Sequence, residues 1–112
     1  MRYRLRRDLN DAEITQAIKA AGFNVIDLTS VGKGIPDKLV IKPLPQVTDW
    51  GQVFFVCWVE IKSKRGKLQG DQHIFRAIFE PRGEWLEARD PQETVNALIE
   101  RYTEQIKPEA MR

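Results

Sequence analysis

The sequence predicts an α/β protein, a mixed β-sheet flanked by helices in the order α-β-β-β-α-β-α. Three observations predict it. Segments with apolar residues every three or four positions alternate with short runs rich in Val, Ile and Phe. The longest run, Val53-Phe54-Phe55-Val56-Cys57-Trp58-Val59, is almost continuously apolar, as a central strand covered on both faces must be. Turn and capping residues fall between these segments, and the prolines stand at element ends.

The first helix is expected to begin near Asn10, with Glu13 closing an Asn-x-x-Glu capping box and Leu9 available as a staple, and to end at Gly22. Ile14, Ala17, Ile18 and Ala21 form its buried stripe. Phe23 to Thr29 reads as a strand, Lys38 to Leu44 as a second and Gln52 to Ser63 as a third. Thr48-Asp49-Trp50-Gly51 supplies the turn of a hairpin between the last two. Gly70 to Phe79 reads as a helix stopped by Pro81, and Glu84 to Arg89 as a short strand. Asp90-Pro91-Gln92-Glu93 then starts a final helix, with a cap, an N1 proline and a box glutamate. That helix runs to about Ile106 and buries Val95, Leu98, Ile99, Tyr102 and Ile106 on one face.

At 112 residues, with 42% hydrophobic and 30% charged, the chain is expected to form one soluble domain. The single cysteine, Cys57, excludes an internal disulfide and a Cys-rich zinc site, and its place in the apolar run makes it a small core residue. No apolar stretch approaches the roughly 18 to 20 residues that span a bilayer. The Arg-rich N-terminus lacks a signal peptide's hydrophobic segment, so a cytoplasmic protein is expected. The net charge of +2 does not by itself announce a nucleic-acid binder. Arg2, Arg4, Arg6 and Arg7 nevertheless crowd one segment, and Lys62, Lys64, Arg65 and Lys67 another.

The chemistry concentrates where the third strand ends. After its apolar run comes Glu60-Ile61-Lys62, and residues two apart on a strand leave the same face, so a carboxylate and an amine converge there. Alone this is also the pattern of an ordinary ion pair at a sheet edge. The preceding strand opens with Gly34-Ile35-Pro36-Asp37, and a hairpin turning near residues 48 and 49 sets Asp37 opposite Glu60. Like charges facing each other are destabilising, which points to a cation between them. Carboxylates with no thiolate or histidine nearby are hard ligands suited to Mg²⁺ or Mn²⁺, an ion that proteins present to phosphodiesters. Lys62 then stands beside the attacking water, to orient or deprotonate it and to offset charge on the phosphate. Lys64, Arg65 and Lys67, just beyond that strand, read as phosphate contacts. In the loop before Asp37, Lys33 is a phosphate candidate and Ser30 a further candidate. His73, the one histidine, reads as a helix-surface residue.

Together Glu13 on a first helix, Gly34-Ile35-Pro36-Asp37, Val59-Glu60-Ile61-Lys62-Ser63, Gly66-Lys67-Leu68 and Gln72 resemble the PD-(D/E)xK nuclease superfamily, and within it the small stand-alone VRR-NUC group found in phages. The likeness runs from about residue 8 to 98 of a single domain over 1–112. It implies a restriction-endonuclease-like core and a metal-dependent deoxyribonuclease. In that reading Asp37, Glu60 and the Ile61 carbonyl hold the metal and Lys62 is the catalytic lysine. Glu13 matches a helix-one acid that contacts the metal through water or binds a second ion, a role its capping-box reading competes with. Gln72 matches a glutamine that meets metal-bound water or substrate phosphate. So small a domain has few parts for reading bases, which makes DNA shape the expected target. The resemblance supports a homodimer that resolves four-way (Holliday) junctions. Trp50, Trp85, Phe75 and Phe79 offer it aromatic surface. A flap, end-directed or nicking repair nuclease is the rival among enzymes, and a non-catalytic DNA-binding module the rival outside them.

Overall fold

A computed structural model describes residues 2–63, 68 and 70–107, with side chains from residue 10 onward. Helix α1 (Arg2–Ala20) leads into strands β1 (Asn24–Asp27), β2 (Lys38–Thr48) and β3 (Gly51–Ile61). Helix α2 (Gly70–Phe79) and a 3₁₀ turn (Glu80–Arg82) follow, then β4 (Trp85–Ala88) and α3 (Pro91–Gln105). The four strands form one mixed sheet in the order β1-β2-β3-β4. The first two pairings are antiparallel and β3–β4 is parallel, the chain crossing over through α2. The expected α/β layout is therefore present. No helix among the described residues is long and apolar enough to cross a membrane.

One face of the sheet carries the main core. Val40, Leu44, Phe55, Cys57, Val59 and Ile61 meet Ile14 and Ile18 of α1, Leu98 of α3 and Phe23. The odd-numbered residues of β3 thus face α1 and α3, as the period of two requires. On the other face Trp58 packs edge-on to Phe75 and beside Phe79, two rings of α2 that stack with centroids 4.7 Å apart. Trp85 is buried next to Trp58, with the Arg76 guanidinium over its ring at 5.0 Å. Trp50, at the hairpin tip, is 98% exposed.

Several boundaries differ from the sequence reading, among them that of β3, which ends at Ile61 and not at Ser63, and those of β4, one residue shorter at each end. Helix α1 does not start at Asn10 but runs through it from Arg2. Residues 2–9 contain no Gly or Pro to break a helix, and the Asn10 amide is taken up by a tertiary partner instead of a cap. The Asn10–Glu13 capping box is accordingly absent. Strand β2 continues four residues past Leu44, because Pro43 and Pro45 fall at a register shift between Pro43 and Val47 where a ladder N–H is not needed. Strand β1 is shorter than expected, since the Asp27 carboxylate accepts the N–H and hydroxyl of Thr29 and turns the chain. The cap of α3 is as expected: Asp90 accepts the Glu93 N–H at 2.9 Å, with Pro91 in the first turn. Ile99, assigned to that helix's buried face, is instead exposed.

Candidate metal and phosphodiester site

The hairpin register builds the site. Lys38 pairs with Val59 and Leu39 with Trp58, so one further step sets Asp37 opposite Glu60. Both are buried, Asp37 at 4% and Glu60 at 1% exposure. Asp37 Oδ2 accepts the backbone N–H of Ile61 at 2.8 Å. One more step in the same register brings Pro36 opposite Ile61. The N–H groups of Trp58 and Lys62 donate toward β4, to Glu84 and Ala88, so those of the alternate residues, with their carbonyls, face β2. Pro36 has no N–H to offer the Ile61 carbonyl. The two carboxylates and this carbonyl therefore share one corner of the sheet, which is an all-oxygen donor set.

Glu60 is further engaged from two sides. Gln72 Nε2, on the first turn of α2, donates to Glu60 Oε2 at 3.1 Å. Lys62 Nζ lies 3.9 Å from the same oxygen, its side chain 16% exposed. The amine and the amide thus meet the carboxylate at one oxygen. The loop before Asp37 reaches α2 through Gly34, at φ +81°, where an added Cβ would stand 2.4 Å from Asp71 Cβ and 2.8 Å from its backbone. That close approach sets the loop against the turn that carries Gln72.

The structure brings Asp37, Glu60, Ile61, Lys62 and Gln72 together. Glu13, a turn beyond Asn10 on α1, is exposed. Among the described residues no three His, Cys, Asp or Glu side chains group closely enough to hold a metal ion, so Glu13 adds no third carboxylate to Asp37 and Glu60. Ser30 and Lys33 are exposed in the loop before Asp37, and Lys33 adopts a left-handed φ of 57°. Lys64, Arg65 and Lys67 lie outside the described residues. His73 is on the exposed side of α2, its Nε2 3.1 Å from the Leu68 carbonyl.

Several neighbours escaped sequence reasoning. Asn10 Nδ2 donates to the Lys62 carbonyl at 3.0 Å. Lys38, 2% exposed and adjacent to Asp37, is held by Asp11 at 2.9 Å and Asp27 at 3.0 Å. Burial pulls the Lys38 amine down, but hydrogen bonds to Asp11 and Asp27 and their charges outweigh it and leave the pKa raised. Glu87 of β4 stands in register with Glu60 and pairs with Arg89 at 3.0 Å.

Compared with known proteins, the chain matches no family model, no curated protein and no solved structure.

Proposed function

We propose that the chain is a Mg²⁺- or Mn²⁺-dependent DNA endonuclease of the PD-(D/E)xK, VRR-NUC kind, acting as a homodimer on branched DNA, four-way junctions above all. One observation carries the reading. Two buried carboxylates, Asp37 and Glu60, face each other on adjacent strands, Asp37 accepting the Ile61 N–H at 2.8 Å and Glu60 lying 3.9 Å from the Lys62 amine. The donor chemistry fits the ion: Mg²⁺ is bound through one or two carboxylates, keeps several waters and so needs few protein ligands. Asp37, Glu60 and the Ile61 carbonyl are the groups to hold it. When bound, it supplies Lewis-acid polarisation of the phosphodiester and lowers the pKa of water.

The remaining roles belong to the chain's own side chains. Lys62 Nζ offsets charge that builds on the phosphate and orients the attacking water. Gln72 holds Glu60 in one orientation through its Nε2. Lys33, Ser30, Lys64, Arg65 and Lys67 contribute phosphate contacts that position the DNA without reading its sequence. The homodimer is supported by exposed apolar side chains, among them Trp50, Val47, Ile74 and Ile78.

The test is a Mg²⁺ titration of cleavage on four-way, flap, single-stranded and duplex DNA. The expected result is paired symmetric cuts in the four-way junction. Cutting confined to flaps or ends favours the repair-nuclease alternative. Junction affinity without Mg²⁺-dependent cutting leaves a binding module, and equal cleavage by Glu60→Gln removes the reading altogether.

A further inference from the structure

The segment that leaves β3 is fixed by three hydrogen bonds, to β4, to α1 and to the residue that follows β4. The Lys62 N–H donates to the Ala88 carbonyl of β4 at 2.9 Å. The Lys62 carbonyl accepts from Asn10 Nδ2 of α1 at 3.0 Å, a contact across 52 residues of sequence. The Ser63 carbonyl accepts from Arg89 Nη1, just past β4. Residues beyond the end of a strand ordinarily lose their ladder partners and turn freely. Here both peptide groups flanking Lys62 are anchored, so the Cα that aims its side chain is fixed. The long stem of a lysine is flexible, and an anchored backbone limits the volume its amine sweeps.

The next residue of α1 acts on the other strand. Asp11 Oδ1 lies 2.9 Å from Lys38 Nζ, and Lys38 follows Asp37 directly. One turn of helix thereby holds the strand ends that carry both acids and the amine. An asparagine inside a helix has no backbone donor to cap there, so its conformational cost is offset by this tertiary bond.

We propose that Asn10 is a positioning residue for Lys62: its amide fixes the Lys62 carbonyl and thereby holds Lys62 Nζ beside Glu60 Oε2. The catalytic consequence rests on the nuclease reading, whereas the placement of Lys62 does not. Without the Asn10 donor the Lys62–Ser63 peptide rotates, the carbonyl turns to solvent and the amine leaves Glu60.

Two measurements on the full chain test this with Asn10→Ala. The first is steady-state cleavage of a four-way junction in Mg²⁺. A fall in kcat of roughly tenfold, the rate equivalent of one hydrogen bond, is expected with KM unchanged. The second needs no activity: trace acetylation with acetic anhydride, followed by mass spectrometry of each lysine. Lys62 should change its reactivity several-fold while exposed Lys19 does not. Asn10→Asp, nearly isosteric but with an acceptor in place of the donor, should reproduce both effects and serves if the alanine variant does not fold. A parent that fails to cut DNA while Lys62 reactivity still shifts in the variants overturns the nuclease reading and leaves the positioning role standing. Unchanged Lys62 reactivity in a folded variant overturns the positioning role, whether or not the parent cuts.

Discussion

The carboxylate of Asp37 receives the backbone N–H of Ile61 at 2.8 Å, so a side chain completes the hairpin where its backbone pairing stops. Pro36 and Asp37 work as a unit in this. The proline has no N–H with which to extend the ladder to the Ile61 carbonyl, and the acid behind it accepts the buried Ile61 N–H.

That bond separates the stability of Asp37 variants from their activity. Asp37→Asn retains an oxygen for the Ile61 N–H, so its stability is expected to stay within about 1 kcal/mol of the parent. Asp37→Ala orphans the N–H and should cost roughly 1–3 kcal/mol. Both lose the charge that would hold a divalent ion, and both should lose cleavage by a factor on the order of 10² or more. Urea unfolding beside single-turnover cleavage checks the pair. Near-parent cleavage by Asp37→Asn would remove Asp37 from the metal site.

The ionic cluster behind the site predicts an acid-sensitive fold. Hydrogen bonds from the Thr29 hydroxyl and N–H, and then Lys38, hold the Asp27 carboxyl down at about 2, below its ordinary 3.8. A lowered carboxylate pKa stabilises the folded state above about pH 4, and that contribution disappears as pH falls toward 2. Lys38 has the opposite sign. Its raised pKa contributes stability below its ordinary 10.5, which is lost as pH rises through the folded value. Urea midpoints measured from pH 5 to 2 should fall less steeply in Asp27→Asn than in the parent. An identical slope would show that the Thr29 and Lys38 contacts do not persist in solution.

Burial pushes the Cys57 thiol up to about 11, against the opposing pull of the Arg101 charge and its hydrogen bond. Arg101 Nη1 lies 3.6 Å from the sulfur on the core side of β3. The thiolate is the reactive form, so Cys57 should be inert to a disulfide reagent at pH 8 in the folded protein. It should react at once in denaturant. Rapid labelling without denaturant would mean that α3 lifts readily from the sheet.

What the sequence made legible was local. A hairpin turning near residues 48 and 49 sets Asp37 opposite Glu60, and the two do face. The pairing of Thr48 with Gly51 alone would set Lys38 opposite Ile61, and it is the register shift between Pro43 and Val47 that returns Lys38 to Val59. The Asp90 cap of α3 was equally readable, because the donor it serves lies three residues on. What was hidden depends on elements far apart in sequence. Asn10 looked like a cap because its type favours caps, and only the packing of α1 against β3 gives its amide another partner. Arg89 and Glu87 needed the parallel register of β4, which a crossover through α2 sets and no turn announces. Pro43 and Pro45 looked like the end of a strand, and the register shift that accommodates them has no signature of its own.

The loop that delivers Asp37 is held against α2 by the absence of a single carbon, and two glycines allow this to be tested. Gly32 and Gly34 both have positive φ, at +67° and +81°. Alanine at either position pays the left-handed penalty of about 1–2 kcal/mol. At Gly32 the new Cβ meets nothing within 4 Å, whereas at Gly34 it would stand 2.4 Å from Asp71 Cβ and 2.8 Å from Asp71 backbone atoms. Backbone cannot swing aside as a side chain tip can, so Gly34→Ala must displace the loop or the first turn of α2. Gln72 follows Asp71, and its 3.1 Å bond to Glu60 should break with that movement. Gly34→Ala is therefore expected to unfold at lower denaturant than Gly32→Ala and to cleave DNA at least as poorly as Gln72→Ala. Gly32→Ala should lose stability but keep most of its cleavage. Equal behaviour of the two alanine variants would mean that left-handed strain alone, and not the contact with Asp71, governs this loop.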